Sequence, residues 1–160
     1  WMHNSEEISE DNHLLFIRNL NNNNEKKYYA VFKKHILTAC VYYDTISEGK
    51  YLTGHFLNPK FLSTGMGLYF EYVYLKFFFV YLKAKMIKAT VKKENLAMIK
   101  IHRLCGFNES SNQNSLCYNY EYYHHEYNNI PDNVNDFITK LILKNKIKDE
   151  YTRESNKNNS

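Results

Sequence analysis

The stretch from Asn95 to Phe107, Asn-Leu-Ala-Met-Ile-Lys-Ile-His-Arg-Leu-Cys-Gly-Phe, constrains this chain more than any other. It follows a β-branched run, Met86 to Val91, that reads as a strand, and it ends in a Gly-Phe stop. Asparagine is a good helix N-cap, and glycine ends helices because it takes the left-handed conformation without a Cβ penalty. The segment therefore predicts a helix from about Asn95 to Leu104 closed by Gly106. Upstream, the glycine turn Leu62-Ser63-Thr64-Gly65-Met66-Gly67 opens a second apolar helix, predicted from about Gly67 to Tyr81.

The remaining segments fit around this unit. Ser9 is a good N-cap for a helix in which Leu14, Ile17 and Leu20 recur at helical spacing. Lys27 to Phe32 and Ile36 to Tyr43 read as strands joined by the tight turn Lys33-Lys34-His35, and Tyr51 to Leu57 as a third strand after Glu48-Gly49-Lys50. Asn58-Pro59 ends that strand, since proline has no N–H to donate to a ladder. Ser115 to Tyr127 is aromatic and loosely alternating, which predicts another strand. Asn135 to Leu143 is ambiguous by spacing: Phe137, Ile138, Leu141 and Ile142 suit a helix face, yet the run is short enough for a strand. The order defines an α+β (mixed α/β) domain with a central sheet over residues 1–148, and a polar, Asn-rich tail over 149–160 expected to be disordered.

Composition excludes several classes. At 160 residues with 44% hydrophobic and 24% charged content, the chain suits one globular domain. A net charge of +4 suits either an ordinary slightly basic surface or attraction of an anionic ligand such as a nucleotide or CoA, but Lys83, Lys85, Lys88, Lys92 and Lys93 only flank a strand and carry no aromatic RNA-binding motif, so no nucleic-acid partner is expected. Cys40, Cys105 and Cys117 are odd in number and lack C-x-x-C spacing, which argues against disulfides and zinc and fits a reducing cytoplasm. The most apolar stretch, Gly65 to Leu82, is interrupted by Glu71 and Lys76, whereas a membrane span needs about 20 apolar residues with few charges. A helix buried on one face is expected there, with no membrane partner. The chain begins at Trp1 without an initiator Met and reads as a fragment or processed form.

The residues offer a small set of candidate sites. Gly65 and Gly67 bracket a helix start, where backbone N–H groups and the helix dipole can hold a diphosphate and a Cβ would obstruct its approach. The same turn can be purely structural. Asn95 can cap its helix and also help to hold a cofactor beside the end of the strand. His102 lies seven residues on from Asn95, nearly on the same face; it is either a structural histidine of an amphipathic helix or a group that protonates a departing thiolate, for which histidine titrates in the right range. His13 is either a solvated first-turn residue or a contact to a polar ligand. His124 and His125, adjacent on a predicted strand, would point to opposite faces and so not ligate one metal.

These residues resemble the GNAT superfamily of acyl-CoA N-acyltransferases. Its cofactor motif is Arg/Gln-x-x-Gly-x-Gly/Ala after a proline, and Pro59 to Gly67 has its length and both glycines, with Leu62 in place of Arg or Gln. Its second motif is met by Asn95, Met98, His102, Gly106 and Phe107, with His102 where the general-acid tyrosine usually stands. A closer likeness runs through most of the chain: Trp1-Met2, Ile8-Ser9, His13, Phe16, Leu20, Tyr28-Tyr29, Val31-Phe32, Gly54 to Pro59 and Glu71-Tyr72. It is to the N-acetyltransferases of pseudaminic acid biosynthesis, which serve flagellin glycosylation by acting on a UDP-linked 4-amino-4,6-dideoxy sugar.

The resemblance implies acetyl-CoA as cofactor and a nucleotide sugar as partner; a homodimer is compatible with it. Phosphates would sit on the amides of Leu62, Ser63, Thr64, Gly65, Met66 and Gly67, with Asn95 nearby. Pantetheine would pair with the backbone from Gly54 to Leu57, and an N–H near Phe56 would hold the oxyanion. His102 would protonate the thiolate, while Trp1 and His13 would contact the substrate. Asp44 and Glu48 are the candidate bases. The family's first strand would precede Trp1, and Asp136 to Leu143 would be its final strand. Two rivals stay open: an acyltransferase acting on a peptide or protein amine, and an inactive, truncated module.

Overall fold

The computed structural model describes residues 9–140, apart from 22, 24, 34, 63, 112, 113, 133, 137 and 138. Trp1, Ser63 and the tail from Asp149 lie outside them, as do Phe137, Ile138, Leu141 and Ile142. In chain order the elements are α1 (Glu10–Asn21), β1 (Lys26–Lys33), β2 (Ile36–Ser47), β3 (Lys50–Leu57), α2 (Met66–Lys76), β4 (Met86–Lys92), α3 (Leu96–Cys105), β5 (Asn108–Glu109), β6 (Cys117–Tyr123) and α4 (His124–Tyr127). Ser9 caps α1 as its sequence position predicts, its Oγ accepting from Asn12 N at 3.3 Å.

The strands form one six-stranded mixed sheet in the order β1-β2-β3-β4-β6-β5. β1, β2 and β3 make an antiparallel meander, β3 and β4 are parallel through the α2 crossover, and β6 returns antiparallel to β4 with β5 on its far side. One face carries Ala39, Val41, Tyr43, Ile87, Ala89 and Tyr122 inward, all buried against α2 and α3. From α2 and the turn after it come Phe70, Tyr74, Leu75, Phe78 and Phe79, each no more than 5% exposed. The abundant tyrosines are packing residues: Tyr74, Tyr120 and Tyr122 are fully buried, and Tyr28 stacks on Tyr42 across the β1–β2 pair at 5.2 Å.

Four expectations are corrected. The second strand runs on to Ser47, past Tyr43. The second helix is not regular to Tyr81: α2 opens into a π-helical turn, Phe77–Tyr81, in which Leu82 N donates to Phe77 O at 3.0 Å, and Lys83 ends it at φ 54°. His124 and His125 are on the short helix α4, not a strand, with His124 edge-on to Phe79 and His125 stacked on Tyr123.

The last correction concerns the segment read as the final strand; among the described residues the last strand is β6. Asp136, Thr139 and Lys140 are helical. Pro131 begins that turn, its carbonyl accepting from Val134 N and Asn135 N at 2.9 and 3.1 Å. Val134 is buried, and the described part of the segment is helical where the resemblance implied a strand, while Phe137, Ile138, Leu141 and Ile142, which carry the helical spacing, lie outside the described residues. No helix among the described residues is long and apolar enough to cross a membrane.

Candidate active site

The site begins where two parallel strands part. β3 and β4 pair from Lys50↔Met86 to Thr53↔Ala89 and no further. Beyond that point β3 stays paired to β2 through Leu57↔Ala39, and β4 stays paired to β6 through Lys92↔Cys117. Gly54–Leu57 and Thr90–Lys92 thus present inner edges not paired to each other, and backbone N–H and C=O groups on such edges need a partner. An extended, amide-bearing ligand can supply one by pairing as a short strand.

Side chains fix the point of divergence. Thr53 Oγ1 donates to Lys88 O at 3.0 Å, so its remaining short contact, with the buried Tyr74 hydroxyl, is one in which Tyr74 donates. Tyr74 therefore ties α2 to the last β3–β4 pair. At the next residue, Gly54, a Cβ would overlap the end of the Tyr42 ring, so a side chain there requires that ring to move. Phe56 and Leu57 complete the bare-edged segment, with the Phe56 side chain exposed.

The loop from this strand to α2 is held at several places. Asn58 Nδ2 donates to Leu37 O at 2.8 Å while its Oδ1 accepts from Lys60 N at 3.1 Å, and Pro59–Phe61 forms a 3₁₀ turn. Thr64 Oγ1 donates to Phe61 O at 2.7 Å and accepts from Met66 N at 3.4 Å. Gly65 sits at φ 80° as the N-cap of α2, a conformation that favours glycine, and provides no capping side chain for the first-turn amides. Gly67 has a different reason to be small: a Cβ would lie 3.2 Å from Ile101 Cδ1, where α2 meets α3. Leu62 is exposed at the start of the turn.

α3 starts and stops as its residues dictate. Asn95 Oδ1 accepts from Met98 N at 3.2 Å, and Gly106 closes the helix at φ 87°. His102 is carried on the inner face of this helix. Its ring stacks on Phe107 at 4.1 Å and meets Tyr120 edge-on at 4.8 Å.

His102 does not stand alone. Its Nε2 lies 3.6 Å from Glu71 Oε1 on α2, and the other Glu71 oxygen lies 3.4 Å from His55 Nε2 on the bare-edged half of β3. Side-chain exposure is 0% for Glu71, 3% for His102 and 11% for His55. Burial dominates all three ionisations. It raises the Glu71 carboxyl to about 8 and lowers His55 to about 4, and with His55 close by it lowers His102 to about 3. Burial thus favours the uncharged form of all three at neutral pH, and both Glu71 oxygens lie close to an imidazole without making a hydrogen bond.

Neither His55 nor the pairing with Glu71 follows from sequence spacing, because the three residues are on three elements. The available signal was a carboxylate inside the most apolar stretch of the chain, which must be partnered or neutral. Cys105 is buried and its thiol is pushed up by burial, in keeping with no role as a nucleophile. Asp44 is paired to Lys26 at 3.3 Å, and Glu48 is in the turn before β3, at the opposite end of that strand from Gly54–Leu57. Neither is at the divergence. His13 is in α1, and its backbone alone is described.

A cleft of about 490 Å³ opens on the sheet beside the divergence, lined by Leu52, Lys88, Thr90, Glu109, Asn119 and Glu121. Lys88 pairs with Glu121 at 2.9 Å and Arg103 with Glu109 at 2.9 Å, so most of the lining charge is matched.

This sheet order, with two parallel strands parting ahead of a glycine-capped helix, is the GNAT fold of N-acetyltransferases. The chain is similar to Campylobacter jejuni N-acetyltransferase PseH, with 23% identity over 71% of this chain and 78% of that one and a TM-score of 0.63. To the same protein solved with acetyl coenzyme A it shows 24% identity over 71% and 78% of the two chains, TM-score 0.61. A spermidine N-acetyltransferase SpeG chimera from Vibrio cholerae and hSSAT gives 17% identity over 81% and 85%, TM-score 0.70. No protein-family model and no curated protein sequence matches the chain.

Proposed function

We propose that this chain is an acetyl-CoA-dependent N-acetyltransferase acting on the 4-amino group of a UDP-linked amino-dideoxy sugar. The observation that carries the transferase reading is the divergence of β3 from β4 after Thr53↔Ala89, followed in the chain by the glycine-capped start of α2. Pantetheine pairs along Gly54–Leu57, the diphosphate rests on the turn from Leu62 to Gly67 including Ser63, and Asn95, the N-cap of α3, helps to hold the cofactor. The amine attacks the thioester directly. Catalysis rests on positioning and on an N–H near Phe56 that receives the oxyanion. The proton for the departing thiolate comes from the buried group that contains His102.

The nucleotide sugar is favoured over other amines by the sequence motifs and by an identity of 23–24% to PseH against 16–17% to SpeG forms. In this reading His13 and Trp1 contact the sugar nucleotide. A second reading, acetylation of a polyamine, draws on the higher TM-score of 0.70 to the SpeG chimera and on Glu109 and Glu121 in the cleft. Thiol release from acetyl-CoA, measured with the UDP-4-amino-4,6-dideoxy sugar and in parallel with spermidine, separates them. Turnover with the sugar alone supports the first reading. Turnover with spermidine alone replaces it with the second.

A further inference from the structure

We propose that His55, and not His102, is the residue that meets the departing sulfur, with Glu71 and His102 acting behind it as positioning residues. The inference rests on the acetyl-CoA reading above. Three observations carry it. His55 lies within Gly54–Leu57, the segment of β3 that leaves the β4 ladder and whose edge a thioester in the gap would face, with its ring beside Phe70 and Tyr74 of α2. It is the most exposed of the three, at 11% against 3% for His102 and 0% for Glu71. Close polar contacts also lead inward from that segment, His55 Nε2 to Glu71 Oε2 at 3.4 Å and Glu71 Oε1 to His102 Nε2 at 3.6 Å, with neither Glu71 oxygen hydrogen-bonded in the resting structure.

Among the described residues, no other charged group is paired with Glu71. The remaining titratable groups that act on it are Tyr74 of α2, Cys105 of α3 and Tyr122 of β6, all neutral at physiological pH and all raised by burial. Its carboxyl therefore keeps its proton in the resting protein. The step balances as follows. The amine nitrogen forms its bond to the acetyl carbon, the C–S bond breaks, and its electron pair stays on sulfur. His55 gives sulfur the proton on one ring nitrogen while Nε2 takes the proton of Glu71. The acetylated nitrogen then loses one proton to the His55 ring nitrogen that gave one, and Nε2 returns its proton to Glu71, which restores both residues. His102, stacked on Phe107 and edge-on to Tyr120, holds the carboxyl in line.

The test has an arm that needs no acceptor and one that does. In the first, ring NMR signals of His55 and His102 are followed while the intact chain is saturated with acetyl-CoA. The inference expects the His55 ring to shift markedly and the His102 ring to shift little. In the second, with acetyl-CoA and the UDP-amino sugar, His55→Gln should lower kcat by about 10²-fold, the usual scale of general acid catalysis, with acetyl-CoA affinity unchanged. Glu71→Gln should lower kcat and flatten the alkaline limb of the pH–rate profile. Acetyl-CoA binding that leaves the His55 ring signals unmoved overturns the inference and spares the transferase reading. Unchanged kcat in His55→Gln does the same. A wild-type chain that binds no acetyl-CoA overturns both.

Discussion

A carboxyl removed from water as completely as that of Glu71 costs several kcal/mol if it stays charged and unpaired, so its protonation state is a matter of stability as well as chemistry. Glutamate ordinarily titrates near 4.5 and histidine near 6.5. With Glu71 protonated up to about 8, the folded chain binds more protons than the unfolded one from pH 4.5 to 8, and stability falls with rising pH over that window. With His55 and His102 neutral down to about 4 and 3, the unfolded chain binds more protons from there to 6.5, and stability rises with pH. Two histidines outweigh one carboxyl below pH 6.5, and the carboxyl acts alone above it. The contribution of the cluster therefore peaks near pH 6.5. Urea midpoints of Glu71→Gln should lose the decline that the wild type shows between pH 6.5 and 8. A variant that keeps the wild-type slope would show that Glu71 is ionised in the native protein.

Two elements carry predictions of their own. β3 is built around Gly54, where a side chain collides with Tyr42 of β2. Gly54→Ala should destabilise by about 1–3 kcal/mol, the cost typical of overpacking. Adding Tyr42→Val makes room and should recover part of that loss, a coupling that a double-mutant cycle reads directly. Helix α3 depends on its cap. Asn95→Ala should cost about 1 kcal/mol of stability, which chemical denaturation measures. If Asn95 also touches the cofactor, acetyl-CoA affinity falls beyond what lost stability explains; unchanged affinity leaves it a cap alone. The caps, glycine turns and apolar periods of these elements were legible in the sequence because they are local. The π-helical turn at Phe77–Tyr81 was not, since the same apolar run would also suit a regular helix. Nor was the helical setting of His124 and His125, which begins where β6 ends.

For the molecule as a whole, the sheet is more informative than any single motif. The strand–helix–strand unit from Tyr51 to Val91 and the helix ending at Gly106-Phe107 could be read from sequence, and they set the crossover that makes β3 and β4 parallel. The sequence could not say that the ladder would end at Thr53↔Ala89, because that depends on β2 and β6 holding the two strands apart. The buried carboxyl between two histidines was hidden for a similar reason: its members come from β3, α2 and α3 and meet only in the fold. The likeness to known N-acetyltransferases rests on this shared geometry, at TM-scores of 0.61 to 0.70, more than on identity.

The most direct test of the account is isothermal titration of the folded chain with acetyl-CoA. The divergence of β3 and β4 and the glycine-capped start of α2 predict saturable binding at one site per chain, with micromolar affinity. A folded sample, verified by a cooperative unfolding transition, that takes up no acetyl-CoA would contradict it and leave the chain with the fold of an acetyltransferase and not its cofactor site.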